Sequence, residues 1–197
     1  MVPAKLVKRY KRFLSDHRLE SGEVITASCP NTGTMLGLTT PGRATWLVHA
    51  PSPTRKYDYR WELIEDEGTW VGINTGRPNA LVEEAIRTGV ITELAGYADL
   101  RREVKYGTNS RIDLLLEDPG RPQAFVEVKN CHLRREAGLA EFPDSITTRG
   151  AKHLDELAAQ VALGHRAVMV FCVQRADCDH FDVAADIDPG YAVAFQR

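Results

Sequence analysis

The sequence has no long hydrophobic segment. Its longest fully apolar run, residues 167–173, is far shorter than a membrane-spanning helix needs. The first residues carry Lys and Arg but lack the apolar run that follows such charges in a secretory signal. These absences argue against a membrane partner, and a cytoplasmic location is the default expectation.

Cysteine and net charge are also sparse. The 197 residues include four cysteines without a C-x-x-C pair, which predicts free thiols. The formal net charge of -2 argues against a histone-like mode of nucleic-acid binding. An apolar fraction of 43% with 26% charged residues is that of a folded protein, so disorder is not expected.

Positive charge is concentrated locally in the first half. Residues 1–18 contain six Lys or Arg and one acid, interleaved with aromatic side chains. Such a segment suits a phosphate backbone, although a solvated basic strand has the same composition. A second cluster of basic and aromatic residues lies at 55–61. The candidate nucleic-acid contacts in this half are Arg9, Tyr10, Lys11, Arg12, Arg55, Lys56 and Tyr57. Trp61 lies within a strand pattern and is expected in the core instead.

Period-two patterns separated by turn residues run through the first half of the chain. They predict strands at 5–14, 24–27, 45–49, 60–64 and 69–73. Five short strands in about 75 residues fit a small barrel, and an OB-fold that binds nucleic acid is the natural candidate. We therefore expect an OB-like, five-stranded β-barrel domain over residues 1–78.

After Pro78 the apolar pattern becomes helical at 80–87 and stops at Gly89. Strand-like runs follow at 100–106, 111–116 and 124–129, separated by Gly107-Thr108-Asn109 and by a turn at 118–122. A helix is expected at 149–163. The apolar run at 167–173 is expected to be a strand interior to a covered sheet. Residues 79–197 thus have the order αβββαβ, that of a PD-(D/E)xK nuclease-like domain, and the chain is expected to be a two-domain α+β or α/β protein.

Asp113, Glu127 and Lys129 are the candidate catalytic residues of this second half. Glu127 and Lys129 are two apart in a strand, so they project to the same face. Asp113 is a single acid in an apolar run, where burial is costly unless the acid is paired or metal-bound. Asp113 and Glu127 would offer hard oxygen ligands to Mg²⁺ or Mn²⁺, with Lys129 beside the attacking water or the phosphate. A buried ion-pair cluster without metal is the alternative.

Other residues are assigned to the surroundings of this site. Glu83, on the preceding helix, is expected as a third metal ligand and catalytic acid, with its neighbour Glu84 as the alternative. Gln160 flanks the apolar face of the later helix. Basic residues near the site are candidates for DNA contact; they are Arg101, Arg102, Lys105, Arg111 and Lys152. The first four could instead pair with Glu103 and Glu117. The histidines show no shared spacing and are assigned no catalytic role.

Six segments resemble the sugar fermentation stimulation protein A family, and together they span the chain. They are 29–38 (CPNTGTMLGL), 71–75 (VGINT), 100–107 (LRREVKYG), 110–113 (SRID), 126–130 (VEVKN) and 147–154 (TTRGAKHL). The resemblance implies an OB-like domain, a nuclease-like domain, DNA binding and a link to regulation of sugar utilisation genes. Members usually continue beyond the position of Arg197, so the chain is expected to be either naturally short or truncated in its second domain.

The ligand set is compatible with two functions. One is a Mg²⁺-dependent DNA endonuclease or exonuclease, and the other is a DNA-binding transcriptional regulator without catalysis. Both use single- or double-stranded DNA as the partner.

Overall fold

The structure, a computed structural model, describes residues 1–107 and 110–197. Thr108 and Asn109, part of the turn predicted after Gly107, lie outside the described residues. The described chain forms two compact units, each assembled from three segments. The first comprises Met1–Thr75, Cys131–Ser145 and Val173–Ala184, and the second comprises Gly76–Asn130, Ile146–Cys172 and Ala185–Arg197.

Six strands from the start of the chain form the main sheet of the first unit. They are β1 (Val2–Tyr10), β2 (Leu14–Leu19), β3 (Val24–Ser28), β4 (Ala44–His49), β5 (Tyr59–Asp66) and β6 (Thr69–Gly72). β1 pairs with both β2 and β4, and a parallel pairing of β3 with β5 closes the ring. The ring order β1-β2-β3-β5-β4 confirms the expected five-stranded OB-type barrel.

The strands that build the barrel differ from the prediction in one respect. The run predicted as one strand at 5–14 is a hairpin of β1 and β2, while the last predicted strand is β6, which pairs with β5 outside the ring. Lys11 and Arg12 in this hairpin have positive φ angles of 50° and 67°. Gly, Asn or Asp usually supply such angles in hairpin turns. The sequence therefore lacks the glycine, asparagine or aspartate that would have predicted this turn.

The barrel core is mainly apolar, with a small buried polar cluster around His17. Trp61 and Leu47 are fully buried, which confirms that Trp61 is a core residue. His17 is fully buried as well, and its ring nitrogens are hydrogen-bonded to Ser15 Oγ at 2.8 Å and Thr45 Oγ1 at 3.0 Å. The Trp61 ring meets the His17 ring edge-on at 5.1 Å. The polar ring is tolerated in the core because both nitrogens have partners.

Two later strands also belong to the first unit. β10 (Gly138–Phe142) and β12 (Cys178–Val183) pair in parallel, and neither was predicted. Near them the guanidinium of Arg175 is almost completely buried and forms ion pairs with Asp66 at 3.0 Å and Asp177 at 2.7 Å. These two carboxylates compensate the burial of the Arg175 charge.

The second unit contains a four-stranded sheet with helices packed against it. Its elements are α1 (Pro78–Arg87), a short 3-10 turn (Thr92–Leu94), β7 (Asp99–Tyr106), β8 (Ser110–Glu117), β9 (Ala124–Cys131), α2 (Thr148–Ala162), β11 (Arg166–Val173) and α3 (Pro189–Gln196). The expected αβββαβ order is confirmed, with α3 as an additional helix. The strand order is β11-β9-β8-β7, so the expectation that β11 is an interior strand is wrong. Its apolar side chains are mostly half-buried at the sheet edge.

The two faces of this sheet have separate cores. Val82 of α1 packs in one cluster with Val126 of β9, whereas Leu157 of α2 packs in another with Phe125 of β9. Because side chains alternate along a strand, Glu127 shares the face of Phe125. No helix in the described part of the chain is long and apolar enough to cross a membrane.

Candidate metal and catalytic site

Glu127 and Lys129 contact each other on β9. Lys129 Nζ donates a hydrogen bond to Glu127 Oε1 at 2.7 Å. The exposed fractions of the two side chains are 4% and 13%, so the contact is largely shielded from water. The shared face expected from their spacing therefore places a buried carboxylate beside an ammonium group.

Asp113 is bound to the backbone of the neighbouring strand. The regular β8–β9 pairing reaches Leu114 opposite Val126, and beyond it Asp113 Oδ2 accepts a hydrogen bond from the Val128 N–H at 2.7 Å. Asp113 Oδ1 accepts another from Asn79 Nδ2 at 2.8 Å. Asn79 lies in the first turn of α1 and was not predicted as a site residue. The α1 side chain that contacts Asp113 is therefore the amide of Asn79 and not the carboxylate of Glu83.

A histidine from α2 also contacts Glu127. His153 Nδ1 is hydrogen-bonded to Glu127 Oε1, and Arg149 Nε donates to His153 Nε2 at 3.2 Å. Nε2 is thus the acceptor nitrogen, and Nδ1 carries the proton that Glu127 accepts. Sequence reasoning missed both residues. The available signal was helical spacing, because His153 precedes the buried Leu157 by four residues and shares its face.

The two carboxylates have opposite pKa shifts. Burial, and next the charge of Glu127, raise the pKa of Asp113 above its ordinary value. For Glu127, burial raises the pKa, but the hydrogen bond from His153 and the charge of Lys129 together outweigh burial, and the pKa lies below its ordinary value. Glu127 is therefore ionised at neutral pH, and Asp113 is the group more readily protonated. A cation beside both would relieve their repulsion.

The donor set fits a hard divalent cation in part. Glu127 Oε2 is buried and has no hydrogen-bond partner among the described residues, which leaves a charged oxygen available for a ligand. Within residues 1–107 and 110–197, no group of three or more His, Cys, Asp or Glu is arranged to hold a metal ion. The fit therefore rests on the carboxylates of Asp113 and Glu127, and water or phosphate oxygens would complete the coordination, as Mg²⁺ prefers.

Glu83, the expected third ligand, is held by two arginines. Its Oε1 accepts a hydrogen bond from Arg87 Nε at 2.8 Å, and its Oε2 accepts one from Arg102 Nε. The hydrogen bond from Arg87 is the main cause that lowers the pKa of Glu83. A role for Glu83 at the metal stays a prediction and would require these ion pairs to rearrange.

Several of the basic residues predicted as nucleic-acid contacts in the first half have partners within the protein. Arg9 donates hydrogen bonds to four backbone carbonyls, those of Arg12, Asn31, Gly33 and Thr34. Arg12 Nε donates to Thr32 O at 2.8 Å, and Tyr10 OH donates to Asp16 Oδ1 at 2.9 Å. The Lys56 ammonium lies 5.6 Å from the centre of the Tyr57 ring. Arg9 and Arg12 thus hold the loop at 31–34, and DNA contact by this whole set, including Lys11 and Arg55, stays a prediction.

In the second half the structure separates paired from unpaired basic residues. Arg101 is paired with Glu117 at 2.6 Å, Arg102 with Glu83, and Lys152 with Glu156 at 3.6 Å. In contrast, Lys105 and Arg111 lie opposite each other on β7 and β8, are both exposed, and have no acidic partner in the described part of the chain. Like charges directly opposite each other destabilise a sheet. This pair is the strongest candidate for phosphate contact.

These features define a class of protein: an OB-type barrel followed by an αβββαβ nuclease-like domain that carries an acidic site on β8 and β9. The model described as "SfsA N-terminal OB domain" matches residues 7–73, and the model described as "Sugar fermentation stimulation protein RE domain" matches residues 76–197. The chain belongs to the sugar fermentation stimulation protein family, which confirms the resemblance stated from the motifs.

Known relatives are similar over the whole chain. The sugar fermentation stimulation protein homolog of Agrobacterium fabrum is 61% identical over 197 residues, covering 100% of this chain and 82% of the relative. That of Rhodospirillum centenum is 63% identical over 196 residues, covering 100% and 84%. A solved structure, Pyrococcus furiosus SfsA in complex with Ca²⁺, has a TM-score of 0.88 at 29% identity and covers 99% of this chain and 82% of that chain.

Proposed function

We propose that this protein binds DNA and cleaves its phosphodiester bonds with Mg²⁺ or Mn²⁺ held by Asp113 and Glu127. The observation that carries the proposal is the free oxygen of Glu127, a buried carboxylate with one oxygen lacking a hydrogen-bond partner among the described residues. A buried charged oxygen is costly unless it has a ligand. That the P. furiosus relative is described in complex with Ca²⁺ supports a divalent ion as this ligand.

The side chains around Glu127 have distinct roles in this proposal. When bound, the metal supplies charge that lowers the pKa of a water and neutralises the phosphate. Lys129 places a positive charge next to Glu127, where it would stabilise the negative charge that develops on the phosphate. His153 is a positioning residue, since it fixes one Glu127 oxygen and leaves the other for the ligand.

DNA would approach this site along the strands that carry Lys105 and Arg111. Arg111 lies two residues before Asp113 in β8, so the basic pair is close to the acidic site along this strand. A phosphate between Lys105 and Arg111 would remove the repulsion between them. The proposal thus places the basic pair and the acidic site on one DNA path, in a cytoplasmic protein linked through its family to sugar utilisation.

Cleavage can be tested directly with purified protein. Plasmid and single-stranded DNA are incubated with Mg²⁺, Mn²⁺ or EDTA, and nicking is followed on gels. The wild type should cut only with metal. Asp113→Asn and Glu127→Gln should not cut, while Asp155→Asn should cut normally because Asp155 is an exposed acid on α2 paired only with Arg197 in the described chain. Absence of cutting by wild type with every metal would refute the catalytic proposal.

A DNA-binding regulator without catalysis is the second candidate. The observation that favours it is that Lys129 and His153 already satisfy one oxygen of Glu127, as in an ion-pair cluster that needs no metal. Under this alternative, the same preparations would retard DNA in a gel shift without EDTA sensitivity and without cleavage.

A further inference from the structure

Two tryptophans lie side by side on the outer surface of the barrel. Thr45 and Leu47 are buried in the barrel, so Trp46 between them projects outward from β4. Trp70 of β6 is 42% exposed, and its ring centre lies 6.0 Å from that of Trp46, with the two ring planes inclined at 53°. Neither residue belongs to the acidic site on β8 and β9.

Aliphatic side chains extend this aromatic pair across the neighbouring strands. Pro3 of β1 lies opposite Trp46 on one side, and Leu63 of β5 lies opposite Trp46 on the other. Residues opposite each other in a sheet have their side chains on the same face, so Pro3, Trp46 and Leu63 form one outer strip. Single exposed apolar residues are common on protein surfaces, whereas a contiguous group that includes two indoles indicates an interaction surface.

A shallow pocket with an unpaired basic pair adjoins this strip. The pocket has a volume of about 400 Å³ and is lined by Pro3, Lys5 and Arg18 among others. Lys5 and Arg18 lie opposite each other on β1 and β2, are both exposed, and have no acidic partner in the described part of the chain. Glu20 also lines the pocket, so its described lining carries two positive charges and one negative charge. An anionic occupant would relieve the repulsion between Lys5 and Arg18.

Aromatic faces beside unpaired basic side chains fit a single-stranded nucleic acid. Its bases stack on aromatic rings whatever their sequence, and its phosphates contact Lys and Arg. In a duplex the base faces are stacked on one another and are not available to a tryptophan. A symmetric dimer of this chain through Trp46 and Trp70 would instead bring two copies of Lys5 and Arg18 to one interface, where like charges are unfavourable.

We propose that Trp46 and Trp70 form a stacking platform for the unpaired bases of single-stranded DNA, and that Lys5 and Arg18 contact its phosphates. This inference rests on the DNA binding in the proposed function and is independent of cleavage. OB-folds commonly bind oligonucleotides through the face of β2 and β3 and through the loops β1–β2 and β4–β5, where the candidate contacts at 9–12 and 55–57 lie. The platform lies on β1, β4 and β6 and is therefore a separate surface.

Binding of a labelled oligothymidine tests the platform. The oligonucleotide is about 16 nucleotides long, the upper end of an OB-fold site, and fluorescence anisotropy is measured in EDTA so that no metal takes part. Trp46→Ala and Trp70→Ala should each weaken binding by about tenfold, because a stacked base is lost. Trp46→Phe keeps an aromatic ring and should retain most of the binding.

Two further variants complete this measurement. Replacing Lys5 and Arg18 together by Ala should reduce the salt slope of oligothymidine binding by about 1.4, since two phosphate contacts are lost. Leu163→Ala is the control, because Leu163 is an exposed apolar residue of the second unit, and it should bind as the wild type does.

The outcomes distinguish the platform from the proposed function. Unchanged oligothymidine binding in both tryptophan-to-alanine variants would overturn the platform. A wild type that nicks plasmid DNA but does not bind oligothymidine would also overturn it, while leaving the proposed function intact. Absence of binding to any DNA would overturn both proposals.

Self-association is the remaining outcome. Light scattering measures the mass of the wild type and of Trp46→Ala in solution. A dimer that Trp46→Ala dissociates, with oligothymidine binding unchanged, would overturn the platform and identify a second copy of the chain as the occupant. Circular dichroism melting checks that each variant is folded, and Trp70→Ala, at the more exposed ring, keeps the test decisive if Trp46→Ala does not fold.

Discussion

Mild acid should destabilise the barrel through His17. Burial lowers the pKa of His17 from 6.5 to about 4, opposed in part by the charge of Asp16. In the unfolded chain the imidazole titrates near its ordinary value. As pH falls below about 6.5, the unfolded state therefore gains a proton that the folded state does not. The contribution of neutral His17 to stability is complete above that pH, and it is lost progressively until pH reaches about 4.

The size of the effect follows from this pKa difference. A difference of one pKa unit corresponds to about 1.4 kcal/mol, so the free energy of unfolding should fall by about 3 kcal/mol once His17 is fully protonated. About 2 kcal/mol of this loss is reached at pH 5. His17 is fully buried, and its two nitrogens are bonded to Ser15 and Thr45, so solvent screening does not reduce this value appreciably. Such a loss is a substantial share of the stability of a small domain.

The assay is urea unfolding followed by tryptophan fluorescence, since Trp61 contacts the His17 ring. The free energy of unfolding is measured from about pH 7.5 to about pH 5 for the wild type and for His17→Gln, which does not titrate. The wild type should lose about 2 kcal/mol more than the variant over this range. His180→Gln serves as control because the His180 side chain is well exposed. Parallel pH curves for wild type and His17→Gln would refute the reasoning.

Three further perturbations follow from the described contacts. Arg9→Ala should lower the free energy of unfolding by about 1.5–3 kcal/mol, because a charged donor to the 31–34 loop is lost; an unchanged urea midpoint would contradict this. Arg175→Met should cost about 1–3 kcal/mol in the same assay, because Asp66 loses a buried charged partner but keeps its ion pair with Arg43, and a neutral effect would count against the Arg175 pairing. Replacing Lys105 and Arg111 together by Ala should reduce the salt slope of DNA binding by about 1.8 in fluorescence anisotropy, whereas an unchanged slope would place DNA elsewhere.

Much of the second unit could be predicted because its signals are local. The β7–β8–β9 meander is marked by strand-like runs with a turn at 118–122, and α2 by helical spacing that ends before Gly164. The shared face of Glu127 and Lys129 follows from the period of a strand alone. Local patterns of this kind fix which residues project together without knowledge of the tertiary fold.

The first unit shows where local patterns fail. The hairpin of β1 and β2 was missed because Lys11 and Arg12, rather than glycine or asparagine, adopt the turn conformation. β2 also places His17 in the core, so the usual alternation of apolar and polar residues is obscured. Tertiary partners, here Ser15 and Thr45, allow a polar ring in a core position, and such partners are not evident from sequence spacing.

Edge position and helix phase were the other sources of error. The apolar run of β11 reads as a doubly covered strand, yet it forms the edge of its sheet with side chains only half-buried. Asn79 and His153 reach the site from two helices, and their contacts depend on helix rotation that short segments do not define. The acids of the site were thus predictable from the strands, whereas the groups that orient those acids were not.

The hydrogen bond from Val128 gives the carboxylate of Asp113 a second task. Because this side chain completes the pairing between two strands, its loss would leave a buried N–H unpaired at a cost of about 1–3 kcal/mol. The stability of the sheet alone would favour an acid or an amide at position 113, whether or not the proposed metal chemistry takes place. Lys129 and His153 contact Glu127 through their side chains, so substitutions at those two positions would leave the pairing of β8 with β9 in place.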